Sequence, residues 1–132
     1  MPSIDAVMAD LFARFAAHDA AGIAALFADE SVLIDPNYPP PMGPALVGPE
    51  AIEAGMAWAF GVLERSEFTP TSTFLAPDDP LRGALEVSTS HRLFDGTDVS
   101  LTQVFVVELD DGGRLRRVQS YTPYPPPLPP PA

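Results

Sequence analysis

Ile4, Val7, Met8, Leu11, Phe12 and Phe15 recur three and four residues apart, which lines them along one side of an α-helix. Ser3 stands where its hydroxyl can accept from the free amides of the first turn, and Asp5 suits the positive helix end. His18-Asp19 breaks the pattern, and Asp19 is placed to cap a short second helix that buries Ile23, Leu26 and Phe27. Ser31 to Asp35 has the β-branched and aliphatic run of a strand, which Pro36 stops because proline cannot donate to a ladder. The stretch 36–48 reads as a loop, but Tyr38, Met42 and Leu46 make it too apolar for a solvent loop, so it should fold over something. Gly48-Pro49-Glu50 opens a third helix, with proline at a favoured first position. Its buried stripe is Ile52, Met56, Ala59, Phe60 and Leu63, widened by Trp58 and Val62.

The remainder reads as strands. Phe68 to Leu75 carries Pro70 and should lie at a sheet edge. Ala84 to Phe94 and Val99 to Leu109 flank Asp95-Gly96, a hairpin turn signal. Asp110 to Gly113 is a second turn before a last strand, Arg114 to Thr122. Helices gathered early and strands late predict an α+β fold, with a curved antiparallel sheet wrapped around the N-terminal helices. The domain should span residues 1–122, followed by a proline-rich tail at 123–132 in polyproline II conformation.

Length and charge narrow the function. A chain of 132 residues makes one domain with a real core. With 18 acidic against 7 basic residues, the net charge of −11 argues against nucleic acid and anionic membranes as partners. The absence of cysteine removes disulfides, thiolate catalysis and cysteine–zinc sites. The first residues show no basic flank or long apolar run, so neither a signal peptide nor a membrane span is expected, and the chain reads as cytoplasmic. Two distant histidines give no metal-ligand pattern, and Asp78-Asp79 reads as a solvated pair, so no metal and no cofactor are expected.

The order of elements and the stretch Phe27-Ala28-Asp29-Glu30-Ser31-Val32-Leu33-Ile34-Asp35-Pro36 resemble the nuclear transport factor 2-like superfamily, in particular its SnoaL-like polyketide cyclases and ketosteroid isomerases. His18-Asp19 between the first helices, Val47-Gly48-Pro49-Glu50-Ala51-Ile52 opening the third, and Asp111-Gly112-Gly113-Arg114-Leu115 before the last strand are similar too. The resemblance implies a cone-shaped fold around a pocket for a small apolar molecule, and a homodimer through the outer sheet face. It is specific for fold and open for reaction, because cyclases, isomerases, hydrolases and non-catalytic binding modules share the architecture.

Asp35 occupies a place similar to that of the general base in ketosteroid isomerases. A carboxylate at the edge of an apolar cavity is harder to ionise, as a base working near neutrality requires. In those isomerases a tyrosine and a protonated aspartate stabilise the enolate oxygen. The corresponding positions here resemble Phe15 and Phe105, which cannot donate hydrogen bonds. A two-residue turn at Asp95-Gly96 would pair Arg92 with Val99, Ser90 with Leu101, Ser88 with Gln103 and Glu86 with Phe105. By the family comparison that set faces the cavity, with Arg92 and Gln103 as catalytic candidates beside Asp35. Ser88, Ser90, Leu101 and Phe105 then contact substrate. A change of one residue in turn length would instead bring His91 inward. Tyr38, Met56, Trp58 and Phe60 are pocket candidates from the loop and third helix, as is Phe15 from the first. In the last strand the comparison puts Val118, Ser120 and Thr122 inward and Tyr121 outward. Two functions remain open. One is a cofactor-independent enzyme moving protons through Asp35. The other is a binding or dimerisation module, whose ligand affinity would ignore the charge of Asp35.

Overall fold

The computed structural model describes residues 3–122. The proline-rich tail, with Tyr124, lies outside the described residues. The elements are α1 (Ile4–Ala16), α2 (Ala20–Ala24), β1 (Phe27–Ile34), β2 (Ala45–Val47), α3 (Pro49–Val62), β3 (Leu63–Ala76), β4 (Asp79–Leu93), β5 (Asp98–Leu109) and β6 (Leu115–Tyr121). The strands form one curved sheet in the order β2-β1-β6-β5-β4-β3. This is the α+β architecture expected from the order of elements.

The caps act as the residue types require. Ser3 Oγ accepts from the Ala6 amide at 3.1 Å, and Asp19 Oδ1 accepts from the Gly22 amide at 2.9 Å. Pro49 sits in the first turn of α3 after Gly48, whose φ of 87° is easily reached only without a Cβ. The apolar stripe of α1 is buried as expected, with Ile4 and Met8 almost fully covered. Helix α1 packs against β3, β4 and β5, and α3 against β1, β2 and β3. Phe12 of α1 stacks on Phe68 of β3 with ring centroids 4.6 Å apart and meets Phe105 of β5 edge-on at 5.5 Å. Such pairs add roughly 0.5–1.5 kcal/mol each beyond the area they bury.

The structure departs from the sequence reading in several places. Strand β1 begins at Phe27 rather than Ser31, because Leu115 donates to the Leu26 carbonyl at 2.8 Å and Phe27 pairs with Leu115. A contact with the last strand thus overrides the local polarity of Asp29 and Glu30. A three-residue strand, β2, lies inside the expected loop, paired with β1 so that Leu46 is buried. Strand β3 starts directly from the end of α3, at Leu63, and reaches back five residues before Phe68. Finally, β1 and β6 pair in parallel, while every other pairing is antiparallel. No hairpin joins these two strands, so nothing forces them to run in opposite directions. Pro70 behaves as expected: β3 is the edge strand, and its register slips between Pro70 and Ser72.

Candidate functional site

A cavity of about 80 Å³ lies between the helices and the sheet, and its walls are mostly apolar: Leu11, Phe12 and Phe15 from α1, and Met56, Trp58 and Ala59 from α3. The sheet supplies Leu33, Leu63, Phe68, Phe105 and Val118. Four polar side chains, Asp35, Asn37, His91 and Gln103, interrupt this lining, together with the hydroxyl-bearing Tyr38. Apolar walls with a few placed polar groups are the usual form of a small-molecule site.

Asp35 is delivered by alternation. It follows β1 two residues after the inward Leu33, so its carboxyl shares that face. Its amide donates to the Pro44 carbonyl at 2.8 Å, which closes the 36–44 loop over the cavity. The loop does bury apolar residues: Tyr38 is in the core and Met42 packs against it. Burial holds the Asp35 carboxyl above the usual carboxylate range. The Asn37 amide, donating to Asp35 Oδ1 at 2.8 Å, opposes this in part, as does the Asn37 side chain. Asp35 keeps a partial opening to solvent, so it can exchange protons.

Tyr38 stands beside it. Burial, with the Asp35 charge adding to it, raises the phenol above its ordinary range and keeps the hydroxyl protonated. Among the described residues that hydroxyl meets only the Met56 sulfur, at 3.9 Å, a weak acceptor. Trp58 packs against Tyr38 with ring centroids 5.6 Å apart.

The hairpin corrects the expected facing of β4. The chain turns through Phe94-Asp95-Gly96: Leu93 donates to Thr97 at 2.9 Å, Gly96 donates to Leu93 at 3.0 Å, and Gly96 takes φ 89°. This is a three-residue connection with glycine in the left-handed position, not a two-residue turn. The pairs become His91 with Val99, Thr89 with Leu101, Val87 with Gln103 and Leu85 with Phe105. A shift of one residue exchanges the faces of one strand. Strand β5 keeps its expected orientation, with Gln103 and Phe105 buried, while β4 turns Leu85, Val87, Thr89 and His91 inward.

Arg92, Ser88 and Ser90 therefore lie exposed on the outer side, not in the cavity. Arg92 faces Asp98 at 3.8 Å and Glu64 at 4.0 Å in solvent. Leu101 joins Ser88 and Ser90 along a separate surface groove. Phe60 is also outside the cavity, stacked on His18 at 4.6 Å and edge-on to Phe15 at 4.9 Å. Of the residues singled out from the sequence, the cavity gathers Asp35, Gln103, Phe15, Tyr38, Met56, Trp58, Phe105 and Val118. Ser120 sits behind Gln103: Thr89 Oγ1 donates to Gln103 Oε1 at 2.8 Å, and Gln103 Nε2 donates to Ser120 Oγ at 2.9 Å. These two bonds lock the amide and leave its second N–H without a protein acceptor among the described residues.

The sequence reading holds His91 only as the alternative that a different turn length brings inward, and it does not reach Asn37 and Phe68 as site residues. His91 follows from the turn length, which no local residue type reveals. Its Nδ1 lies 2.6 Å from Ser66 Oγ on the facing strand, and burial pushes its pKa down to about 4. Phe68 needed the true start of β3. Asn37 carries no signal beyond the Asx turn it forms with Asp35. Among the described residues no group of His, Asp and Glu stands close enough to hold a metal ion, and no helix is long and apolar enough to cross a membrane.

The SnoaL-like domain family model matches residues 8–118. No curated protein matches the chain. Among solved structures, the chain is similar to RV0760c from Mycobacterium tuberculosis in complex with estradiol-17beta-hemisuccinate, at 22% identity and TM-score 0.77, covering 92% of this chain and 94% of that one. It is similar to the Delta 5-3-ketosteroid isomerase from Mycobacterium sp., at 22% identity and TM-score 0.77, over 92% and 93% of the two chains. TerC, co-crystallised with polyporic acid, is similar at 19% identity and TM-score 0.73, over 89% of each chain.

Proposed function

Because the chain belongs to the SnoaL-like domain family, we propose that it is a cofactor-independent enzyme in which Asp35 moves a proton on an apolar, oxygenated small molecule. The observation that carries this reading is the Asp35 carboxyl, harder to ionise through burial, at the wall of an apolar cavity. A carboxylate in that setting takes a proton from a carbon next to a carbonyl and returns it elsewhere on the same molecule. The carbon–hydrogen bond electrons pass into an enolate and the proton rests on Asp35. Returning it to another carbon completes an isomerisation; alternatively the enolate carbon adds to a second carbonyl of the same molecule and the resulting alkoxide takes the proton, closing a ring without net oxidation.

The developing negative oxygen needs a hydrogen-bond donor in a site from which water is excluded. Phe15 and Phe105 occupy the positions that resemble the isomerases' donors and supply none. Gln103, two residues before Phe105 on the same face of β5, offers its free amide N–H, and Tyr38 offers its hydroxyl. The steroid ester bound to RV0760c and the polyporic acid bound to TerC support an apolar, oxygenated substrate class.

The test is deuterium wash-in at the acidic carbons of androst-4-ene-3,17-dione, followed by mass spectrometry. Asp35→Asn should slow enzyme-dependent exchange by about 100-fold or more while leaving the fold intact. Equal exchange by both proteins would remove Asp35 from the chemistry. Tight binding without exchange in either protein favours the second reading, a non-catalytic binding module, to which the donor-free Phe15 and Phe105 lend weight. A homodimer through the outer sheet face belongs to the same proposal, supported by exposed Val47 on β2 and Tyr121 on β6, and sedimentation equilibrium tests it.

A further inference from the structure

We propose that His91 is a ligand anchor, and that the molecule held in this cavity carries an acceptor oxygen at the β4 side, away from the part that Asp35 handles. This rests on the proposed occupancy of the cavity by an apolar, oxygenated molecule and adds where its second oxygen lies.

The argument starts from Ser66. Its hydroxyl is buried, with the residue only 3% exposed, and its one hydrogen bond among the described residues is to His91 Nδ1 at 2.6 Å. A buried hydroxyl proton requires an acceptor. If Nδ1 carried the proton, Ser66 would accept and its own proton would be stranded. The bond is satisfied on both sides when Ser66 donates and Nδ1 accepts. That fixes the imidazole as the tautomer protonated on Nε2.

Nε2–H then has no protein acceptor among the described residues, and the ring lines the cavity. Phe15 and Phe68 flank it with ring centroids at 6.3 and 5.7 Å and offer no acceptor in the ring plane. A donor left over in an apolar cavity selects an oxygen acceptor on the occupant, a carbonyl above all. Asp35 follows β1 and His91 lies on β4, with β6 and β5 between them. Three strand spacings amount to about 14 Å on a flat sheet and less across a concave one. The occupant therefore carries two oxygen functions on opposite sides of an apolar body.

Two measurements test this. The first is the imidazole nitrogen spectrum of the ligand-free protein near neutral pH. An accepting Nδ1 and a protonated Nε2 are expected, and the opposite tautomer overturns the proposal whatever the ligand. The second is binding of androst-4-ene-3,17-dione against androst-4-en-3-one, read by quenching of Trp58, the chain's one tryptophan. The protein should prefer the dione by roughly 3- to 10-fold, the worth of one net hydrogen bond. His91→Phe should lose the preference, so that the two steroids bind with equal affinity. Ser66→Ala/His91→Phe, which leaves no stranded hydroxyl, repeats the test if the single variant folds poorly. A preference that survives loss of the imidazole, or equal binding of both steroids by the unmodified protein, overturns the anchor alone. Binding of neither steroid overturns the apolar-ligand reading of the cavity and the anchor with it.

Discussion

Ser66 Oγ lies 2.6 Å from His91 Nδ1, and the pairing of β3 with β4 sets the two residues directly opposite each other. Among the described residues no carboxylate is hydrogen-bonded to the ring, and burial lowers its pKa from 6.5 to about 4. The folded protein refuses a proton that the unfolded chain accepts. Stability is therefore full above about pH 6.5 and falls as the pH drops towards about 4, by on the order of 2–3 kcal/mol in all. Urea unfolding at several pH values across this window should show that decline. Ser66→Ala/His91→Phe should decline less steeply; parallel curves would mean that other groups carry the effect.

Asp35 has the opposite linkage. Burial raises its carboxyl above the ordinary value of 3.8, so the folded state holds the proton more tightly than the unfolded chain does. Stability contributed by the protonated form is lost as the pH rises through the folded value. Asp35→Asn removes the buried charge and keeps an oxygen to accept from the Asn37 amide. It should raise neutral-pH stability by about 1 kcal/mol while removing proton transfer. Thermal unfolding near neutrality checks this, and a loss of stability would place the carboxylate in a favourable hydrogen-bonded setting instead.

The Thr89–Gln103–Ser120 chain is a third target. Gln103→Leu leaves two buried hydroxyls, on Thr89 and Ser120, without their partner. The expected loss is roughly 2–4 kcal/mol in chemical unfolding. The triple replacement Thr89→Val/Gln103→Leu/Ser120→Ala should recover most of it. No recovery would show that the chain is not what the substitution breaks.

Gly96 sets which residues of β4 face the cavity. Its φ of 89° disfavours any side chain, so Gly96→Ala should lose about 1 kcal/mol, and Gly96→Asn less. Deleting Phe94 should force a two-residue turn and set the hairpin register against the inward face. The readout is the cavity: Trp58 emission should shift to longer wavelength as solvent enters. Unchanged emission with full stability would mean that sheet packing, not the turn, sets the register.

The features legible in the sequence were those with local causes. Periodicity placed α1 and α3, Ser3, Asp19 and Pro49 marked helix starts, and Pro70 marked the edge strand. Asp35 was legible through the family resemblance of its place after the first strand; Asp-Pro by itself marks only where that strand stops. The rest depends on contacts distant in sequence. Strand β1 reaches back to Phe27 only because Leu115 pairs with it, and β2 exists only as a partner of β1. Arg92 and His91 changed places because one extra residue in a turn reverses a strand, and Asp-Gly fits both turn lengths. Phe60 follows the helical stripe faithfully but spends its ring on His18, a pairing of two loop-separated elements that no spacing rule encodes.

The parallel pairing of β1 with β6 has a consequence for assembly. These strands carry Leu33 and Val118, two walls of the cavity, yet more than half the chain is made between them. Closing so large a loop is entropically slow, so the cavity should be among the late features of folding. Until β6 docks, the inner side of β1 has no neighbour on one flank, and the hydrophobic side chains of Phe27 and Leu33 face an open edge. A nascent chain released before Leu115 would carry Asp35 just past β1 and still have no pocket around it.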